Sequence, residues 1–301
     1  MLNKDTVSPS PRNPLHGICF MIFMTVCFSS LDASAKYISS ELPLFMVLWG
    51  RYVFHFLFVT LFFLRGAPRD IIYTQRIKLQ IFRSILIFGA GVTFWRALMF
   101  LPLADCVVIA FVSPLLVTAL SVPLLGERVG IHRWGAVIFG LFGVMFVIRP
   151  GMRIVHWASI LPLIAALFYA NFQITTRILG RIDDALTSLF YTSVGGLILS
   201  SIAVLFVWVS PSLEQWLILV WLGFLGVAGH YFMIKAFELA PVSLLAPFDY
   251  TALIWATLLG FVLFGDLPDA WTIMGAIIII SSGLYLIKRE RRFVAAQSFS
   301  K

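Results

Sequence analysis

The chain has 301 residues, of which 60% are hydrophobic and 12% charged, against roughly 45–50% and about 25% in soluble domains. With a mean hydropathy of +0.98, too little polar surface exists to cover a soluble core, and the same numbers exclude a disordered chain. The net charge of +8 must be explained by where it sits before any nucleic-acid role is considered. The three cysteines, Cys19, Cys27 and Cys106, lie in apolar runs with no disulfide or metal spacing and read as buried thiols.

A membrane-crossing helix needs about 20 apolar residues. Ten such stretches occur in order: Leu15–Tyr37, Leu44–Leu64, Leu79–Phe100, Ala104–Leu125, His132–Ile148, His156–Ile178, Leu186–Val209, Gln215–Phe237, Ser243–Phe264 and Ala270–Ile287. Breakers separate them, among them Pro43, Pro68, Pro102, Gly126, Pro150-Gly151, Pro211, Pro241 and Pro268. Helices satisfy their own backbone in lipid, so a ten-helix bundle follows. The alternating segments of about ten residues that a β-barrel needs are missing. Lys4, Arg12 and the small-residue run Ala33-Ser34-Ala35 allow the first stretch to be read as a signal peptide. Asp32 sits badly before such a site, and the repeat described next needs this helix.

Basic residues set the orientation. With a cytoplasmic N-terminus, 17 of the 22 Lys and Arg fall on the inner side; Lys36, Arg51, Arg96, Arg149 and Arg153 do not. Arg76, Lys78 and Arg83 count among the inner ones. Outer segments carry Glu41, Glu214, Asp266 and Asp269. Both termini are expected in the cytoplasm, with Lys288–Arg292 anchoring beside anionic lipid. Neither this charge nor any motif points to nucleic acid.

The chain also matches itself. Ala97-x4-Pro102 recurs 139 residues later as Ala236-x4-Pro241, and Gly126-Glu127 as Gly265-Asp266 at the same offset. Arg96 falls opposite Lys235, and, more loosely, Lys36 opposite Arg177. Each half holds five helices. Because five is odd, the halves enter the membrane from opposite sides, giving an inverted repeat of the kind secondary transporters use. The expected organisation is a tail over 1–14, a first repeat over 15–148, a linker over 149–155, a second repeat over 156–288 and a basic tail over 289–301.

The run from Arg96 to Asp105, then Ser113-Pro114-Leu115, Leu125-Gly126-Glu127-Arg128 and Trp134-Gly135-x7-Gly143-Val144 resembles the EamA-type drug/metabolite transporter superfamily. The resemblance spans roughly 15–288. The second half departs from it, with Asp266 where the family often has Glu and Leu253 where it has proline. It implies a ten-helix carrier whose central cavity is lined mainly by helices 1, 3, 4, 6, 8 and 9. It also implies a small organic solute: an amino acid, a nucleotide sugar, S-adenosylmethionine or a riboflavin-like vitamin.

Ionisable groups within spans are costly and are site candidates by default. Asp249, in Pro247-Phe248-Asp249-Tyr250-Thr251, leads, because Pro247 should break the helix beside it. It reads as a proton or substrate-cation site, or as a structural partner for a neighbour, and Tyr250 beside it is a candidate substrate contact. Asp32 could bind substrate or pair with Lys36 one turn on. Arg51 and Arg96 could hold a carboxylate or phosphate or snorkel to the interface. Trp95 and Trp49 could stack on a planar solute or belong to the interfacial belt. On helix 6, Tyr169, Asn171 and Gln173 could bind substrate or bridge helices. His230 on helix 8 and His55 on helix 2 could titrate, or be structural. Glu127 reads as a loop tether. Gly223, Gly226 and Gly229, three residues apart, mark a close helix crossing.

No nucleophile elbow, zinc-protease motif or phosphate-binding loop occurs, so neither an enzyme nor a cofactor is expected. The leading reading is a secondary transporter of a small organic metabolite in the plasma (bacterial inner) membrane, with Asp249 the candidate for proton coupling. A mixture of acid, base and aromatic groups suits a zwitterion or planar heteroaromatic solute. Lipid surrounds the bundle, and a homodimer is an open possibility. An intramembrane enzyme would need a nucleophile and base on facing helices, and a channel would need rings of like residues.

Overall fold

A computed structural model describes residues 14–63, 71–126, 129–148, 157–180 and 182–298. Among them ten helices are long and apolar enough to cross a membrane: span 1 Pro14–Ile38, span 2 Leu44–Phe62, span 3 Ile77–Leu98, span 4 Leu103–Leu125, span 5 Ile131–Ile148, span 6 Trp157–Leu179, span 7 Ala185–Val204, span 8 Leu213–Leu239, span 9 Leu244–Phe264 and span 10 Ala270–Lys288. The described residues are helical with short connections and no strand. The N-terminal tail up to residue 13, the central linker and Glu127-Arg128 lie outside the described residues, whereas the basic tail expected from 289 instead continues the last helix to Ser298.

Two helix ends move by more than two residues: the last helix runs eleven residues past Ile287 to Ser298, and span 7 is shortened. Span 7 was expected to reach Val209 but ends at Val204. Beyond it Phe206 and Val207 close turns onto the carbonyls of Ala203 and Val204. Trp208 then stacks edge-on against Trp49, with centroids 5.3 Å apart. An aromatic docked across the end of span 2 outweighs the apolar continuation of the helix.

Packing shows how the halves are joined. Span 1 lies along span 8, and span 6 lies along span 3. Span 2 packs on spans 7 and 8, while span 3 also packs on span 7; span 1 meets span 9 as span 6 meets span 4. Spans 5 and 10 pair with each other. Exchanging each span for the one five places on leaves this pattern unchanged, which is a two-fold relation between the halves. The principal contacts run between the halves rather than within them, so the repeats interleave around a shared core.

The repeat is also exact in detail. Pro102 and Pro241 start the fourth and ninth spans in the same extended conformation, at φ −55°, ψ 144° and φ −66°, ψ 143°. Gly126 and Gly265 end them in the left-handed region at φ 68° and 72°, where a side chain would meet its own backbone. Close crossings use glycine, since lipid gives apolar side chains no reason to prefer one another and backbones must approach. A Cβ on Gly223 would run into Phe54, one on Gly226 would lie 2.8 Å from His55, and one on Gly229 would lie 2.9 Å from Phe28. This bears out the triplet as the contact of span 8 with spans 1 and 2.

Both quasi-equivalent spans are broken midway. Span 4 is interrupted at Phe111-Val112, between Leu103–Ala110 and Ser113–Leu125; span 9 is interrupted at Tyr250, between Val242–Asp249 and Thr251–Phe264. At each break a tighter i+3 bond replaces the regular ladder: Leu115 N–H to the Val112 carbonyl, 2.9 Å, and Leu253 N–H to the Tyr250 carbonyl, 3.1 Å. The expectation of a break at Pro247 is corrected here, because the helix runs past that proline and breaks three residues on. The reason is tertiary. Phe111 and Tyr250, 139 residues apart, meet with ring centroids at 4.9 Å, so the two breaks abut where the halves cross.

A candidate solute site between the two halves

Asp249 ends the first segment of span 9, on the last residue before the break. The Phe248 carbonyl accepts from the Thr251 hydroxyl at 2.7 Å, and the Ala252 carbonyl accepts from Ser29 at 3.2 Å. The broken backbone is thus partly satisfied by hydroxyls. The Asp249 carboxylate has no hydrogen bond or ion pair among the described residues. Tyr169 of span 6 stacks on Phe172, with centroids 5.7 Å apart, and lies within Coulombic reach of Asp249 and Arg83. Tyr169 is 40% exposed although it sits midway along a packed helix. Tyr250 points the other way and presses its hydroxyl against Gly283 of span 10, where no Cβ could fit.

Span 1 brings a polar stripe to the break of span 9. Thr25, Ser29, Asp32 and Lys36 follow at helical spacing. The Thr25 and Thr251 hydroxyls share a 2.8 Å hydrogen bond. Asp32 accepts from the Trp95 indole N–H at 2.9 Å. Lys36 donates to Asp266 at 3.0 Å and to the Leu101 carbonyl at 2.8 Å. The expected Asp32–Lys36 pair is therefore not formed: each residue finds a better-placed partner on another helix. Asp266, which follows the left-handed Gly265, ties the C-terminal end of span 9 to span 1. This is the tethering role expected of its quasi-equivalent, Glu127.

Arg51 of span 2 lies over two rings, 5.0 Å from the centroid of Trp95 and 5.2 Å from that of Tyr52. Trp95 is 2% exposed and so packs inside the bundle rather than facing lipid. His55 and His230 meet edge to face at 5.4 Å. His230 Nδ1 donates to the Gly226 carbonyl at 2.7 Å, since a carbonyl can only accept. Gln173 donates to Ser113 at 3.0 Å, tying span 6 to the restart of span 4. Asn171 bonds back to the Leu167 carbonyl of its own helix at 2.8 Å. Arg96 is exposed and lies over Phe100 at 4.9 Å, away from these groups.

The structure thus joins Asp32, Trp95 and Arg51 of spans 1, 3 and 2 into one group, with His230 in Coulombic reach of Arg51 and Tyr169 in Coulombic reach of Asp249. Tyr250 and Gln173 support the two breaks, while Asn171 and Arg96 stand apart. Arg83 was counted as an inner-surface anchor and is instead 6% exposed. Its Nε donates to the Thr176 hydroxyl at 2.6 Å, and its Nη1 to the Ser188 carbonyl at 2.9 Å and the Thr192 hydroxyl at 2.6 Å. The signal was present, because Arg83 stands a full turn inside the expected span Leu79–Phe100. Cys19 is also corrected: it is exposed, whereas Cys106 is buried.

An all-helical bundle of ten spans, with two halves related by a two-fold relation and polar groups set beside two broken helices where the halves meet, defines a membrane carrier fold. The chain belongs to the EamA-like transporter family, whose description matches residues 15–149 and 156–288. It is 27% identical over 288 residues to the S-adenosylmethionine uptake transporter of Rickettsia prowazekii, covering 95% of this chain and 97% of that one. It is 26% identical over 285 residues to the riboflavin transporter of Vibrio cholerae, covering 93% and 96%. The pseudopaline exporter of Pseudomonas aeruginosa is 21% identical over 280 residues, covering 91% and 97%. A solved crystal structure with 20% identity superposes with a TM-score of 0.63 over 93% of this chain and 97% of that one, which shows the shared fold. The chain is an integral membrane protein of a transporter family.

Proposed function

We propose that the protein is a secondary carrier that moves a small organic metabolite by alternating access, using the opening around Asp249 as its solute site. The observation that carries this reading is the unpaired Asp249 carboxylate at the break of span 9, where the two halves meet. A carboxylate at membrane depth costs roughly 2.5–3.5 kcal/mol, and such a cost is retained where a cation or a proton is to be received. The relatives support a solute of S-adenosylmethionine type or riboflavin type, and the acid, base and aromatic groups also suit an amino-acid-like zwitterion. Asp249 is the candidate coupling residue, and Tyr169, Asp32, Arg51, Trp95 and His230 are the candidate contacts.

We place the protein in the bacterial inner membrane with both termini cytoplasmic. Cysteines introduced at positions 3 and 299, in a background without the native three, should resist impermeant thiol reagents in intact cells. Labelling of either from outside contradicts this orientation. Thermal unfolding of the purified protein tests the solute class. A ligand at a hundredfold its Kd stabilises by about 2.7 kcal/mol, so S-adenosylmethionine or riboflavin should raise the midpoint. No shift with either, nor with an amino-acid panel, refutes the proposed class.

A further inference from the structure

Cations inside the spans differ sharply in how they are held. Lys36 has a carboxylate and a carbonyl. Arg83 has two hydroxyls and a carbonyl. Arg51 has neither hydrogen bond nor ion pair among the described residues, and its Nε is buried without a partner. Its neighbour Asp32 is within Coulombic reach, but one oxygen is occupied by the Trp95 indole and no atom pair closes to a salt bridge. What holds Arg51 is aromatic: the faces of Trp95 and Tyr52 fix the plane of the guanidinium and leave its N–H edges unused. A half-buried cation whose Nε is shut off from any acceptor is costly, whereas a fixed guanidinium presents paired donors that match a carboxylate.

Arg51 is joined by contacts to the break beside Asp249. It stacks on Trp95, which donates to Asp32 of the span 1 stripe, and Thr25 and Ser29 of the same stripe bond Thr251 and the Ala252 carbonyl, two and three residues past Asp249.

We infer that the transported solute carries a carboxylate and that Arg51, held between Trp95 and Tyr52, receives it. This rests on the opening being the solute site, and narrows the solute from the two types named above to the S-adenosylmethionine type, since riboflavin has no carboxylate. One guanidinium balances one unit of negative charge, which fits a carboxylate rather than a phosphate dianion.

The test compares equilibrium binding of S-adenosylmethionine, its decarboxylated analogue and riboflavin to purified wild type, Arg51→Gln and Arg51→Lys. Hydrogen bonds to a charged group correspond to about tenfold to a hundredfold in affinity. Wild type should prefer S-adenosylmethionine over the decarboxylated analogue by at least about tenfold. Arg51→Gln should bring the two within about twofold, and Arg51→Lys should keep part of the preference. Equal binding of the pair by wild type overturns the inference even if Arg51→Gln fails to fold. So does an equal loss of both ligands in Arg51→Gln, the mark of a structural residue. Riboflavin binding that Arg51→Gln leaves intact, with no S-adenosylmethionine binding, overturns it while the solute site stands. Binding of none of the three overturns both.

Discussion

Asp249→Asn is expected to abolish gradient-driven accumulation of solute in proteoliposomes while leaving solute exchange intact and independent of pH. The reasoning starts from cost. The carboxylate stands at a helix break at membrane depth with no partner among the described residues, and its ionised form costs roughly 2.5–3.5 kcal/mol there. A proton or a cationic group of the solute removes that cost, and Asn imitates the protonated form. If Asp249 carries the coupling proton, the variant can still cycle with solute on both sides but can no longer draw on a proton gradient. If it pairs with a cation on the solute, accumulation and exchange should both fail and binding should weaken. A purely structural role predicts a lower folding yield, with transport by the surviving protein unchanged in rate and pH dependence. That outcome, at matched protein content, removes Asp249 from the site.

Lys36→Met should open the outer side of the bundle. Lys36 joins spans 1 and 9, which belong to different halves, and its side chain and that of Asp266 are 15% and 34% exposed. Fully buried pairs lose several kcal/mol when one partner is removed and exposed ones about 1 kcal/mol or less. A half-buried pair with an added carbonyl bond should fall at about 1–2 kcal/mol, and 1.4 kcal/mol is a tenfold change in population. Cys106 is a native reporter, being buried in span 4 within Coulombic reach of Lys36. With Cys19 and Cys27 replaced by Ser, external thiol reagents should modify Cys106 about tenfold faster in Lys36→Met. The reversal Lys36→Asp with Asp266→Lys should slow it again. An unchanged rate in the single variant means that the pair does not hold the halves together.

The membrane architecture was legible because it follows from one-dimensional quantities. Span length is fixed by bilayer thickness. Glycines and prolines that govern backbone conformation repeat at a constant offset, so Gly126 and Gly265, and Pro102 and Pro241, announced the two-fold relation before any contact was known. Partner choice was not legible. Asp32 and Lys36 are neighbours on one helix face, and only the assembled bundle sends one to Trp95 and the other to Asp266. The break of span 9 was assigned to Pro247 because proline is the local signal, yet it falls at Tyr250, where Phe111 from the other half meets it. Arg83 shows the converse. Its depth within the expected span could be read, but the three acceptors that hold it come from spans 6 and 7, 93 to 109 residues away. Helix 1 offered a signal that went unread: Thr25, Ser29, Asp32 and Lys36 form a single stripe whose period marks it as facing other helices.

Counterflow tests the central claim most directly. Proteoliposomes are loaded with unlabelled S-adenosylmethionine and diluted into a trace of the labelled solute. A carrier that alternates access exchanges inner for outer solute, so the label should rise above its equilibrium level and then decay, with entry saturating as outer solute increases. Label that only approaches equilibrium without overshoot, through entry that does not saturate, is the behaviour of an open pore and contradicts alternating access. Entry no faster than in protein-free vesicles, repeated with riboflavin, contradicts the assignment of this opening to solutes of either type.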